Sequence, residues 1–217
     1  LYSALQELNK TTDNISTAED PVEYNLEGIN QVQIHADIGL NFAATLRTFM
    51  RQDPDIILVG EVRDFETAEV SIQAALTGHL VLSTLHTNDA PSSITRLLNM
   101  GVEPYNFVSA LNCILAQRLV RMICPHCKHR VQYDDAYLRE SGLDPAIWRE
   151  VPMHEGAGCF ECGGTGFRGR SAIHELLDLS ERIREMILDR RAASEIRRVA
   201  REGPAGRSHH FRPQAAR

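Results

Sequence analysis

The sequence predicts an α/β chain: a doubly wound, largely parallel sheet up to about Arg121, then a small cysteine-rich module and a helical end. Three observations carry this. Apolar runs such as Ile56-Ile57-Leu58-Val59 and Leu80-Val81-Leu82 alternate with segments of helical spacing. Four of the five cysteines form two C-x-x-C pairs, Cys124/Cys127 and Cys159/Cys162, where that alternation stops. From Ile173 onward, Leu176, Leu179, Ile183, Ile187 and Ile196 provide candidate buried positions of helices.

The elements follow in order. Leu1, Leu5 and Leu8 have helical spacing up to about Asn9, with no capping residue ahead of them and no initiating Met, so the chain is expected to start inside a helix of a longer protein. Ile15 to Ala18 suits a strand, ended by Glu19-Asp20-Pro21 because proline cannot continue a ladder. Val32 and Ile34 alternate with Gln31 and Gln33, as in a half-exposed strand. Phe42, Leu46, Phe49 and Met50 mark an amphipathic helix closed by Asp53-Pro54. Ile56 to Val59 reads as a strand buried on both faces, with Gly60 and Glu61 at its C-terminal end. A helix from Phe65 to Leu76 stops near Gly78, and a second buried strand begins at Leu80 and gives way to Leu85-His86-Thr87-Asn88. Asp89 can cap a helix with Pro91 in its first turn, ending near Gly101, and a further helix is expected from about Pro104 to Leu119. The expected domains are 1–121, 122–170 and 171–203, with a tail over 204–217 that shows no periodicity.

Composition narrows the function classes. Of 217 residues, 43% are hydrophobic and 24% charged, an ordinary globular balance. Lys plus Arg number 23 against 29 Asp plus Glu, a net charge of −6, so no nucleic-acid partner is expected. No apolar run approaches the ~20 residues of a membrane span, so none is expected, and no basic-then-apolar leader opens the sequence. Without an export signal, the paired cysteines read as metal ligands in a reducing compartment. Two C-x-x-C knuckles present four thiolates tetrahedrally, the closed coordination of structural zinc, with Gly163 and Gly164 turning the second knuckle tightly. Cys113 packs as a small apolar residue on this reading. A rival stays open. Arg118, Arg121, Lys128, His129 and Arg130 cluster beside the first knuckle, as in zinc ribbons that bind nucleic acid without catalysis. A solvated face or a subunit contact accounts for the same cluster.

Ligands of open α/β sheets bind at the C-terminal ends of strands. Glu19-Asp20, Glu61 and His86 fall at such ends, with His79 just before its strand and Arg63 nearby. A carboxylate there can hold magnesium or orient an attacking water, and a histidine can sense a terminal phosphate. Each feature alone also fits a turn, a cap or a hydrogen-bonded structural residue.

Taken in order, these segments resemble a known family. Thr17-Ala18-Glu19-Asp20-Pro21-Val22-Glu23-Tyr24 resembles the aspartate box of the motor ATPases of type II secretion and type IV pilus assembly. Arg51-Gln52-Asp53-Pro54-Asp55-Ile56-Ile57-Leu58-Val59-Gly60-Glu61-Val62-Arg63-Asp64 resembles their Walker B box. Thr77-Gly78-His79-Leu80-Val81-Leu82-Ser83-Thr84-Leu85-His86-Thr87-Asn88 resembles their histidine box. The resemblance runs from Leu1 to about Glu202, and beyond it the sequence departs from the expected helical end.

It implies a RecA-like, ATP- and Mg2+-dependent hexamer at the cytoplasmic face of the bacterial inner membrane. The implied partners are an inner-membrane platform protein and a cytoplasmic recruitment protein, through which hydrolysis drives pseudopilin or pilin assembly. It casts Glu19 as general base and Glu61 as the magnesium- and water-positioning carboxylate. His79 and His86 would couple phosphate to subunit movement, Arg63 would add positive charge, and Asp20, Glu61 and His86 would line the nucleotide. Many members also carry the tetracysteine zinc module. The family's phosphate loop, G-x-x-x-x-G-K-[ST], occurs nowhere in the 217 residues and is expected immediately upstream of Leu1, so this stretch alone is expected not to hydrolyse ATP.

Overall fold

The computed structural model describes residues 1–202; the expected tail at 204–217 lies outside the described residues. In chain order the elements are α1 (Tyr2–Leu8), β1 (Ile15–Glu19), β2 (Asn30–Gln33), α2 (Phe42–Phe49), β3 (Ile56–Val59), α3 (Phe65–Leu76), β4 (Leu80–Ser83), α4 (Ala90–Asn99) and α5 (Pro104–Ala110). They continue with β5 (Cys113–Ile123), β6 (Lys128–Val131), α6 (Asp135–Glu140), α7 (Pro145–Trp148), β7 (Met153–Gly156), β8 (Phe167–Asp178), α8 (Glu181–Leu188) and α9 (Ala193–Glu202). Two compact units result: residues 1–116 with 175–202, and residues 117–174. β5 and β8, hydrogen-bonded to each other, carry the chain from the first unit to the second and back.

The first unit is built on a parallel sheet in the order β2-β1-β3-β4. Successive strand residues face opposite sides, so β3 feeds two cores at once. Ile57 and Val59 join Ala18, Leu46, Phe49, Val70 and Ile94 in the larger cluster. Ile56 and Leu58 join Leu5, Ile15 and Leu26 on the other face, beneath α1. β1 and β3 are buried throughout, as a parallel sheet covered on both faces requires. Asn41, Asp64 and Asp89 cap α2, α3 and α4 through their side chains, each meeting an N–H that has no partner within its helix.

α8 and α9 belong to this unit. Leu177, Leu179, Ile183, Ile187, Ile196 and Val199 complete the larger core. Arg184 fastens the arrangement by donating to the carbonyls of Leu179 (2.8 Å), Leu111 (3.0 Å) and Val108, the last two at the end of α5, where helix carbonyls lack partners. Asp89 accepts from the Ser92 N–H at 2.9 Å and pairs with Arg197 of α9 at 2.7 Å, so one carboxylate both caps α4 and ties it to the last helix.

Four expectations need correction. The helix expected from Pro104 to Leu119 ends at Ala110, and Cys113 begins a strand, because Ile114, Leu115, Leu119 and Val120 suit a ladder whose partner β8 lies far along the sequence. β4 is not buried on both faces: among the described residues β3 is its one neighbour, and Leu80 is 41% exposed. Leu176, expected on a buried helix face, is exposed in β8. Cys113, read as packed, is exposed as well.

In the second unit β6 and β7 pair antiparallel, from Lys128 opposite Gly156 to Val131 opposite Met153. α6 and α7 lie between them in sequence, held by the Arg149–Asp135 ion pair and by Tyr133 stacked on Tyr137. Among the described residues of this unit, Leu138, Cys124 and Cys162 are the buried hydrophobic ones, too few for an independent core.

Burial alone would raise the pKa of Asp89, but hydrogen bonds from Ser92 and the Arg197 guanidinium outweigh it and hold the carboxyl below its ordinary value. The stabilisation this represents is present above the unfolded-state pKa and is lost as pH falls through the depressed folded value. Asp89→Ala should cost about 1–2 kcal/mol in urea unfolding near neutral pH, mostly as a lost cap. Asp89→Asn, which keeps capping ability, should show a smaller deficit that shrinks as the solution is acidified past the carboxylate range.

Candidate functional site

The C-terminal ends of β1, β3 and β4 lie side by side. Gly60 N–H donates to the Ala18 carbonyl at 2.8 Å, and Val62 N–H donates to the Thr84 carbonyl at 2.9 Å. The Thr84 hydroxyl closes the set by donating to the Gly60 carbonyl at 2.6 Å. Glycine suits position 60: a Cβ there would stand 3.1 Å from the Ala18 oxygen and 3.3 Å from Glu19 Cα, tighter than ordinary contact. The absence of a side chain brings the strand carrying Glu61 against the strand carrying Glu19.

Both carboxylates are buried, at 4% exposure for Glu19 and 7% for Glu61, and their surroundings differ. Glu19 is met by donors. Thr17 Oγ1 donates to its Oε1 at 2.5 Å, Gln31 Nε2 to the same oxygen at 3.0 Å, and the Tyr2 hydroxyl to Oε2. Glu61 is only half met. Arg63 pairs with its Oε1 at 2.5 Å, while Oε2 has no hydrogen-bond partner among the described residues. His86 Nε2 stands 3.2 Å from Oε2, at ion-pair distance without hydrogen-bond alignment. An ionised oxygen buried without a donor is costly, and a cation or an ordered water is what relieves it. The donor chemistry at Glu61 therefore fits magnesium or a magnesium-bound water.

Glu19, Glu61, Arg63 and His86 thus belong to one strand-end edge. Asp20 follows Glu19 directly and is exposed. His79 does not join them. It precedes β4 at the opposite end of that strand, ~13 Å away by strand rise. There its Nδ1 is 2.8 Å from the Ala74 carbonyl and 3.1 Å from the Thr77 hydroxyl, at the end of α3. Tyr2, Thr17 and Gln31 were not singled out from sequence. The available signal was the period of two that puts Thr17 and Glu19 on one strand face, with Gln31 opposite Thr17 in register.

In the second unit the four sulfurs of Cys124, Cys127, Cys159 and Cys162 lie within 4.8 Å of one another. The separations for Cys124–Cys159, Cys127–Cys162 and Cys159–Cys162 are 3.9, 3.9 and 3.7 Å. A tetrahedron of thiolates about a zinc ion has edges of about 3.8 Å, so the donor set fits such an ion. Cys162 is the thiol best prepared to ionise. Burial opposes its charge, but the N–H groups of Cys159 and Gly166 donate to its sulfur at 3.1 and 3.2 Å, and with the neighbouring thiols they bring its pKa down to about 6. Cys127 is pushed up to about 12, first by burial and then by the other thiols, against the Gly158 N–H.

The glycines around this centre do more than turn the knuckle. Gly163 and Gly164 have φ of 59° and 78°, the left-handed conformation expected there. Gly156 and Gly166 cross so closely that a Cβ on either would fall 2.1 or 2.4 Å from the other's carbonyl oxygen. Sequence reading missed Gly156; its signal was the G-x-G of Gly156-Ala157-Gly158 before Cys159, echoed by Gly164-Thr165-Gly166 after Cys162.

With fold and site in place, comparison with known proteins is decisive. A sequence model of the family described as type II/IV secretion system protein matches residues 1–213. The chain belongs to the type II/IV secretion system protein family.

The type IV pilus assembly ATPase PilB of Myxococcus xanthus is 55% identical over 201 residues, which cover 92% of this chain and 36% of that protein. Type II secretion system protein E of Pseudomonas aeruginosa is 49% identical over 206 residues, covering 94% of this chain and 41% of that protein. Among solved structures, the pilus retraction motor PilT with bound ADP matches at TM-score 0.63 and 27% identity, over 93% of this chain and 49% of that one. The X-ray structure of the Yersinia pseudotuberculosis ATPase DotB matches at TM-score 0.59 and 25% identity, over 87% and 42%. This secretion-family chain therefore has the α/β fold of those ATPases and spans roughly a third of the length of the curated relatives. The family match also continues past Glu202, where the sequence reading ended the resemblance.

Gly156→Ala or Gly166→Ala should abolish metal binding as fully as Cys162→Ser, measured as metal per chain by mass spectrometry. A thiolate must shed its proton to bind a metal, so metal affinity should fall steadily as pH is lowered. Chelation should lose the β6–β7 unit, read as new protease cleavage between residues 117 and 174.

Proposed function

We propose that this chain is the hydrolytic part of a motor ATPase that couples ATP turnover to assembly of pseudopilins in type II secretion, or of pilins in type IV pilus biogenesis. The observation that carries the proposal is the half-satisfied, buried Glu61 carboxylate at the C-terminal edge of a parallel sheet, flanked by Glu19, Arg63 and His86. When bound, magnesium would neutralise charge on the transferring phosphoryl group. Glu61 would hold that ion or its water through Oε2, and Glu19 would accept the proton of the attacking water. His86 and Arg63 are mostly exposed around Glu61, free to turn toward a phosphate. Asp20 would line the nucleotide. His79, seated between α3 and β4, would pass movement of those elements onward rather than touch phosphate.

The four thiols would hold a structural zinc, and the second unit would serve partner contact without chemistry of its own. A homohexamer working with an inner-membrane platform protein and a cytoplasmic recruitment protein is the corresponding assembly, at the cytoplasmic face of the inner membrane. No helix among the described residues is long and apolar enough to cross a membrane.

These 217 residues contain no G-x-x-x-x-G-K-[ST] segment, so by themselves they should bind ATP poorly and show no turnover. In the intact protein that carries this chain, Glu61→Gln should lower kcat by ~100-fold or more while nucleotide still binds. Steady-state ATPase assays with a fluorescent-nucleotide titration check both. Retained turnover in Glu61→Gln would remove the basis of the hydrolytic reading.

A further inference from the structure

We infer that Tyr2 is a positioning residue for Glu19: its hydroxyl aims the Glu19 carboxylate and ties it to the loop that follows β1. This deepens the proposed function and rests on Glu19 being the group that accepts the proton of the attacking water.

The argument begins with the strand. Thr17 and Glu19 share the face of β1 that looks toward α1, and Gln31 stands beside them on β2. Tyr2 lies in the first turn of α1, which is anchored on the same face by the fully buried Leu5. The phenol therefore meets Glu19 from the helix side, while Thr17 and Gln31 meet it from the sheet. Its hydrogen-bonding capacity is committed in one direction. The hydroxyl accepts from the Glu23 N–H at 3.2 Å and so turns its proton to Glu19 Oε2. Edge-on packing against Tyr24, with ring centroids 4.6 Å apart, fixes the ring. Burial, and then the bond to Glu19, raise the Tyr2 pKa, so the hydroxyl remains a donor throughout the working pH range.

An ionised carboxylate offers about four lone-pair positions. Two on Oε1 are taken by Thr17 and Gln31, and one on Oε2 by Tyr2. One position on Oε2 remains for a water proton, and Tyr2 decides where it points. Tyr2 bridges the Glu19 carboxylate and the Glu23 N–H through one neutral hydroxyl, without adding charge. Without the phenol, Oε2 would sit at 4% exposure with no donor, free to rotate and more readily protonated.

The test compares Tyr2→Phe and Glu19→Gln in the intact protein that carries this chain, through pH profiles of kcat and KM. Phenylalanine keeps the ring against Tyr24 and removes only the hydroxyl. The inference expects Glu19→Gln to abolish turnover. It expects Tyr2→Phe to lower kcat roughly tenfold, the weight of one hydrogen bond to a charged group, with KM for ATP unchanged. The acidic limb of its kcat profile should also move to higher pH. If Glu19→Gln is inactive but Tyr2→Phe matches the parent in kcat and acidic limb, the role of Tyr2 is overturned and that of Glu19 stands. A fall in kcat without movement of the limb overturns it as well, since loosened packing accounts for that result. If Glu19→Gln retains turnover, the role assigned to Glu19 fails and this inference fails with it.

Discussion

A carboxylate removed from water must be answered by donors or a cation, and the first unit turns on how it answers two of them. Glu19 and Glu61 sit at neighbouring strand ends of one parallel sheet, brought together because Gly60 has no side chain to hold β1 and β3 apart there. Around Glu19 the fold supplies neutral donors from α1, β1 and β2. Around Glu61 it supplies one guanidinium, one unaligned imidazole and an oxygen left open. The first arrangement fixes a direction, and the second leaves a place. The sheet, the helix caps and the returning α8 and α9 make those positions rigid.

The second unit solves a different problem. It has almost no apolar interior, so its organisation falls on four thiols and a backbone crossing that tolerates no side chain. Two N–H groups, from Cys159 and Gly166, are aimed at the Cys162 sulfur and favour its charged form.

Much of this was legible in the sequence, for reasons that differ by element. β1, β3 and α3 announce themselves because burial on both faces, or on one helical stripe, writes a strong local pattern, and Asp89 caps its helix where expected. The gathering of the four cysteines was legible because paired C-x-x-C spacing suits one tetrahedral donor set. What escaped was non-local. Nothing near Cys113 reveals that its partner strand begins at Phe167, so a segment compatible with helix became a strand. Nothing near Leu80 shows that β4 would have a single neighbour. Tyr2 and Glu19 are separated by 17 positions and meet only because α1 covers one sheet face.

The route of the chain through β5 and β8 has a consequence for descent. The second unit leaves and re-enters the first on two strands that pair with each other, while α8 and α9 complete the first unit's core afterwards. Such a unit is topologically a cassette: its boundaries can be bridged by a short turn without reordering anything else. A lineage could gain, enlarge or discard it in one step, leaving the strand-end carboxylates untouched. The cysteine-rich module and the parallel sheet can therefore carry separate histories within one continuous chain.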